Sequence, residues 1–188
     1  MSLRIIAGTA RGRRLKAVKG INTRPTADRV KESLFNIISP AIRDAVVLDL
    51  FAGTGNLGCE ALSRGAGLVF FVDKSGLSIK TIKDNINSLG FADRARVYKM
   101  DVTTFLKSQG SKGPVYNLIF MDPPYGKELL VPTIELISEM NILSDDGMVI
   151  AEHSTMDNLP QSIGQLYIQR QKTYGTTAVT FYAKDGAL

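Results

Sequence analysis

The chain has one cysteine, Cys59, and one histidine, His153, among 188 residues. A lone cysteine excludes a disulfide or a thiolate metal cluster within one chain. A lone histidine leaves His-rich metal sites and Ser–His or Cys–His mechanisms with at most one candidate. Long hydrophobic runs are also missing, and none nears the ~18 apolar residues of a membrane span. The opening residues, Met1-Ser2-Leu3-Arg4, carry no apolar stretch of secretory-signal length. The expectation is a reduced, metal-free, cytoplasmic protein with no membrane partner. Apolar residues at 44% and charged residues at 22% suffice for a globule with its own core, and the length suits a single domain.

Positive charge is unevenly placed. Residues 1–31 hold nine cations (Arg4, Arg11, Arg13, Arg14, Lys16, Lys19, Arg24, Arg29, Lys31) against Asp28 alone, a net +8 in a chain of net +5. Such a segment attracts polyanions. Leu3, Ile5, Ile6, Leu15 and Val18 interleave with the charges, so the segment reads as folded. A hairpin is expected, with strands at 3–7 and 14–18 and turn glycines Gly8 and Gly12 between them. Thr26 then caps a helix over 26–38 that has Val30, Leu34, Phe35, Ile37 and Ile38 on one side and ends at Pro40.

From residue 45 the pattern alternates. Strands are expected at 46–50, 68–72, 95–99, 115–121 and 148–152, and helices at 57–64, 75–89, 103–107 and 129–140. Buried strands alternating with helices make a parallel sheet covered on both faces. The tail has strands at 165–172 and 178–183 joined through Gly175 with no helix, which fits an antiparallel pair at the sheet edge. The fold class is α/β, a Rossmann-like three-layer sandwich.

The chemistry collects at strand ends. Asp122-Pro123-Pro124-Tyr125 follows the apolar run 116–121. Asp122 can accept hydrogen bonds from an amino group. Prolines offer carbonyls without competing donors, and Tyr125 offers a flat face for a planar ring. The set is a clamp for a nucleobase bearing an amine. Gly53-Thr54-Gly55-Asn56-Leu57-Gly58 lies between a strand and a helix, where backbone can approach a nucleotide-like ligand. Alone, that loop fits a dinucleotide equally well.

Asp49 decides between them. A carboxylate beside a pyrophosphate is repelled, whereas the ammonium and sulfonium of S-adenosylmethionine (SAM) are attracted. Asp49, Phe51, Gly53 and Gly55 are therefore expected at the methionine end of SAM. Asp73, ending the second strand, is expected on the ribose. Asp101 is expected on the adenine amine, with Val102 adding backbone and apolar contact. Each of these acids could instead cap the helix that follows it.

Asp49 to Gly55, Asp73, Asp101 and the Asp-Pro-Pro-Tyr run follow the motif order of class I SAM-dependent amino-methyltransferases. The opening resembles a narrower family. Arg4-Ile5-Ile6-Ala7-Gly8, Arg11-Gly12-Arg13-Arg14-Leu15 and the run from Arg24-Pro25-Thr26 to Leu34-Phe35-Asn36 are similar to the RsmD family, as is Glu60-Ala61-Leu62-Ser63-Arg64-Gly65-Ala66. Asn56 departs from the small residue common at that place.

The resemblance implies a seven-stranded, mostly parallel sheet with an antiparallel C-terminal strand. It also implies a chain divided into an RNA-binding extension (1–40) and a methyltransferase domain (41–188). The implied activity is methyl transfer from SAM to N2 of a guanine in 16S ribosomal RNA, free or in a small-subunit particle. Asp122, Pro123 and Tyr125 would be catalytic, and Arg11, Arg13, Arg14, Lys16 and Arg24 would hold phosphates. Adenine N6 methylation and, from another class, NAD-dependent oxidoreduction are the competing readings. Lys172, Tyr174 and Thr176 surround the last turn on the side expected to face RNA and carry no assigned role.

Overall fold

A computed structural model of the chain describes residues 3–18, 28–109, 113–124 and 129–185. Eight strands form one sheet: β1 (Val46–Leu50), β2 (Leu68–Asp73), β3 (Ala95–Lys99), β4 (Tyr116–Met121), β5 (Leu143–Ser154), β6 (Ser162–Ile163), β7 (Leu166–Tyr174) and β8 (Thr177–Lys184). Their order is β3-β2-β1-β4-β5-β8-β7-β6. Strands β1 to β5 pair in parallel and β6 to β8 add on antiparallel. The seven expected strands are present, and the two-residue β6 makes the eighth. Strand β5 begins five residues before the expected 148. Its Ser144-Asp145-Asp146-Gly147 reads locally as a turn, but Leu143 pairs with Tyr116 across a register shift, so the ladder continues through it.

Helices α1 (Asp28–Ile37), α2 (Asn56–Ser63) and α3 (Gly76–Leu89) cover one face, and α4 (Val102–Gln109) and α5 (Leu130–Met140) the other. Strand alternation sorts the core accordingly. Val47, Leu118, Phe120, Ile150, Val179 and Phe181 pack under the first group, while Leu48, Leu50, Ile119, Met121, Val149 and Tyr182 pack under the second. Phe35 is buried under the first group and Phe105 under the second. Cys59 is fully buried beneath the first group of helices, and burial pushes its thiol far up.

The opening segment belongs to the first face. Ile5, Ala10 and Leu15 share its core with Leu34 and Val69. The expected hairpin is present in short form: Arg4 and Arg14 make an antiparallel bridge, flanked by backbone bonds from Ile5 N to Arg13 O at 2.9 Å and from Leu15 N to Leu3 O at 2.8 Å. Its turn is held by α2. The Glu60 carboxylate accepts the Ile6 and Ala7 backbone N–H groups at 2.8 and 3.0 Å, and Ser63 Oγ accepts that of Ala10 at 3.0 Å. Backbone donors that the short hairpin leaves unpaired are thus satisfied by side chains of the helix. Glu60 also meets Arg64 Nε at 2.8 Å and Lys31 Nζ at 3.3 Å, with the Lys31 and Glu60 side chains 1% and 0% exposed. Lys31 Nζ donates further to Arg4 O and to Asn56 Oδ1. Asn56, the departure from the family pattern, therefore joins the buried ion pair that ties α1 and the opening segment to α2.

Candidate active site

The carboxyl ends of β1, β2 and β3 lie side by side, and each carries an acid. Asp49 in β1 points to the face of α2, where its Oδ2 accepts the Gly58 N–H at 2.9 Å. It is 3% exposed. Burial, and after it the charge of Asp73, pushes its carboxyl up to about 8, against the lowering effect of the Gly58 bond. Beyond β1 the chain turns through Phe51, left-handed at φ 57°, a costly conformation for a non-glycine residue. Gly55 then caps α2 at φ 75°. Gly58 has a different reason to be glycine, since a Cβ there would overlap the Phe71 ring of β2. Close packing of α2 on the sheet is what brings its N–H to Asp49.

Asp73 closes the loop from the neighbouring strand. Its Oδ2 accepts the Gly53 N–H at 2.9 Å and its Oδ1 that of Ser75 at 2.7 Å. Asp101 caps α4, its Oδ1 accepting from Thr103 N at 3.0 Å. Asp101 is exposed and Val102 buried. Carboxylate oxygens accept more than one bond, so Asp73 and Asp101 keep capacity for a ligand. Phe51 is half-buried against the core of the second face.

Asp122 follows β4, which pairs with β1 on the side away from β2. The registers Leu50 with Met121 and Met121 with Ala151 set Asp122 level with the start of the glycine loop and with Glu152 of β5. Alternation puts Asp122, Glu152 and Asp49 on one face of the sheet. Burial raises the Asp122 carboxyl well above the usual range, and the charges of Glu152 and Asp49 push it the same way. Pro123 is buried and Pro124 exposed. Tyr125 and Arg24 lie outside the described residues. Glu152 is the site acid that sequence reasoning passed over. Its signal was present, a carboxylate closing an apolar strand, as Asp73 and Asp122 do.

The basic segment is largely engaged. The Arg13 guanidinium donates to Ser88 O, Lys16 Nζ meets Asp84 Oδ2 at 3.0 Å and Arg4 Nε meets Asp28 Oδ2 at 3.0 Å. Arg11 and Arg14 are exposed. Ser63 and Ser88, which hold the turn of this segment, are near the ends of α2 and α3 remote from the glycine loop. For α2 that is about 12 Å, at 1.5 Å per residue. His153 is buried on the opposite face. Its Nδ1–H donates to Ser154 O and its Nε2 accepts from Thr180 Oγ1, both at 2.8 Å, a structural role.

The acids ending three adjacent strands, a glycine loop and Asp-Pro-Pro after the fourth strand define a methyltransferase. The chain belongs to the RsmD family: its residues 3–183 match the family model described as "Conserved hypothetical protein 95". It is similar to the "Putative rRNA methyltransferase YlbH" of Bacillus subtilis, with 44% identity covering 98% of this chain and 100% of the relative. It is also similar to the "Ribosomal RNA small subunit methyltransferase D" of Escherichia coli, with 36% identity covering 97% and 90%. A solved structure named "Putative methyltransferase yhhF from Escherichia coli" superposes at a TM-score of 0.88, with 34% identity and full coverage of both chains. Among the described residues no helix is long and apolar enough to cross a membrane, and no three His, Cys, Asp or Glu residues are grouped to hold a metal ion.

Proposed function

We propose that this chain transfers a methyl group from SAM to the exocyclic N2 amine of a guanine in small-subunit ribosomal RNA. The observation that carries the reading is the carboxyl edge of the sheet, where Asp122 stands beside a site edged by Asp49, Asp73 and Asp101. The names of the relatives support RNA of the small ribosomal subunit as acceptor. That acceptor places the reaction in the cytoplasm, on free RNA or on a subunit particle.

The donor set fits SAM chemically. Asp49 is buried with its pKa raised, a state that a bound cation relieves and an anion aggravates. The Gly53–Gly55 turn lets backbone approach the ligand, Asp73 accepts from the ribose hydroxyls, and Asp101 with Val102 receives the adenine. SAM supplies an electrophilic methyl group on a sulfonium. The remaining task of the protein is geometry and charge.

Guanine N2 is a poor nucleophile because its lone pair is delocalised into the ring. The Asp122 carboxylate and the Pro123 carbonyl accept the two amine hydrogens and aim the nitrogen. Tyr125, next in the chain after Pro124, is positioned by sequence to stack on the base, worth roughly 1–3 kcal/mol. As the nitrogen–carbon bond forms and the carbon–sulfur bond breaks, positive charge grows on nitrogen, and Asp122 stabilises it. S-adenosylhomocysteine leaves, and one amine proton passes to Asp122 or to water. Small-subunit RNA and subunit particles incubated with the protein and labelled SAM should yield N2-methylguanosine on nucleoside mass analysis. Label on adenosine, or none on RNA, would overturn the reading.

A further inference from the structure

An open cleft of about 580 Å³ lies between α1 and β7, lined among others by Arg29, Glu32, Ser33, Asn36, Arg170 and Lys172. Its walls are fixed. The Tyr174 and Ser33 hydroxyls are hydrogen-bonded, and Val30, Leu34 and Phe35 bury the other side of α1. Arg29, Arg170 and Lys172 are exposed, and no carboxylate of the described residues lies within ion-pairing distance of them. Three cations of the opening segment contrast with them, since Arg4, Arg13 and Lys16 are each engaged by Asp28, Ser88 or Asp84, while Arg11 and Arg14 are exposed as well.

Position distinguishes the two sets further. Lys172 pairs with Val179, and Val179 with Glu152, which is level with Asp122. Arg170 pairs with Phe181 on the same face. Three strand spacings, about 14 Å, therefore separate the β7 cations from the acceptor carboxylate along one face of the sheet. Arg170 and Lys172 stand two residues apart on a strand, about 7 Å, so they can take two separate phosphates.

We propose that this cleft holds the phosphates of the RNA strand flanking the target guanine, with Arg29, Arg170 and Lys172 as the contacts. The proposal rests on the RNA-acceptor reading above. Glu32 is the one acid of the lining and opposes the polyanion. Ser33 and Asn36 add neutral donors suited to phosphate or sugar oxygens. Single-stranded RNA fits better than a duplex, because the target base must leave its stack to reach Asp122.

The test is binding of a small-subunit RNA fragment, measured against salt concentration, for the wild type and the Arg170→Ala/Lys172→Ala protein. The log–log salt slope should fall in magnitude by about 0.7 per lost contact, or about 1.4 in all. The KM for RNA should rise about tenfold or more, with SAM affinity, melting temperature and kcat at saturating RNA retained. Glu32→Gln should tighten RNA binding. An unchanged slope and KM in the double variant, with the wild type still methylating RNA, would overturn the cleft alone. Loss of activity only on protein-containing particles, with naked RNA bound normally, would also overturn it, since the occupant would then be a ribosomal protein. A lowered slope in a protein that methylates no RNA would sustain the cleft and defeat the methyl-transfer reading instead.

Discussion

Asp73 and Asp101, at the ends of β2 and β3, each accept two backbone N–H groups: Asp73 from the glycine loop and from its own turn, Asp101 from the first turn of α4. Asp122 and Glu152, at β4 and β5, are set side by side by strand register on one face of the sheet, and burial, then the Glu152 charge, raises the cost of ionising Asp122. Asp49 stands between the pairs, hydrogen-bonded like the first and strained by burial like the second. The donor half thus uses its acids to hold the fold, and the acceptor half carries its acids against the fold. Structure with a burden of this kind collects where chemistry is done.

The largest expected effect lies under the donor half. Glu60→Gln leaves the Lys31 ammonium buried without its counter-ion, and breaking such a pair costs about 3–5 kcal/mol. Burial already lowers the Lys31 pKa, and the Glu60 charge is what opposes it. Calorimetry should show a melting point lower by about 10 °C for a domain of this size. SAM binding should weaken with it, because α2 and the glycine loop share the anchor. A variant as stable as the wild type would erase the contrast between the halves.

Asp122→Asn tests the other half. The turnover number should fall by about 10²–10³-fold, the cost of removing one preorganised polar group, with SAM affinity retained. Its melting point should hold or rise, since a like charge beside Glu152 is removed. For the wild type, kcat/KM should climb with pH above the ordinary carboxylate range, because Asp122 must be ionised and its pKa is raised.

Much of this arrangement was legible in the sequence. Asp49 near the end of β1 and Asp101 two residues past β3 were read from their place in the strand–helix alternation, while Asp73 and Asp122 fall where apolar runs stop, and such a run is a local signal. Helix α3 was legible for the same reason, with Ser75 capping one end and Gly90 the other. Contacts between distant segments were not. Lys31 counts in the sequence only as one cation of the basic segment and Glu60 only as part of a family run, and packing of α1 on α2 is what buries them as a pair. The hairpin is docked on α2 through Glu60 and Ser63, 53 or more residues away. Glu152 and the β7 cations gain their meaning from the order β4-β5-β8-β7, which no local pattern contains.

Asp49 gives a smaller, pH-dependent effect that places it between the halves. In the free protein its pKa is about 8, so the group is mostly protonated at pH 6. A cationic ligand favours the carboxylate, and binding therefore releases a proton. SAM affinity should rise by up to tenfold per pH unit between 6 and about 8 and then level off. Asp49→Asn should bind weakly and without that slope. The sign for folding is opposite. A pKa raised above its unfolded value contributes stability at low pH that is lost as pH climbs toward about 8, so added SAM should raise the melting point more at pH 8 than at pH 6. Equal shifts at both values would show that Asp49 does not face the cation.

The smallest effect separates anchoring by burial from anchoring at the surface. Lys16 and Asp84 are 3.0 Å apart with side chains 66% and 40% exposed, and such pairs contribute about 0–1 kcal/mol. The same residue is held more firmly by its backbone, since the Asn85 amide accepts from Lys16 N at 2.8 Å and donates to Lys16 O at 3.1 Å and Thr54 O at 2.9 Å. Lys16→Ala should shift the melting point by a degree or two. Asn85→Ala should shift it several times more, because it strips partners from the opening segment and the glycine loop together. Salt should abolish the first difference and leave the second. If Lys16→Ala proved as damaging as Asn85→Ala, the segment would be docked by its charges, and those charges would be less free to meet a polyanion than Arg29, Arg170 and Lys172.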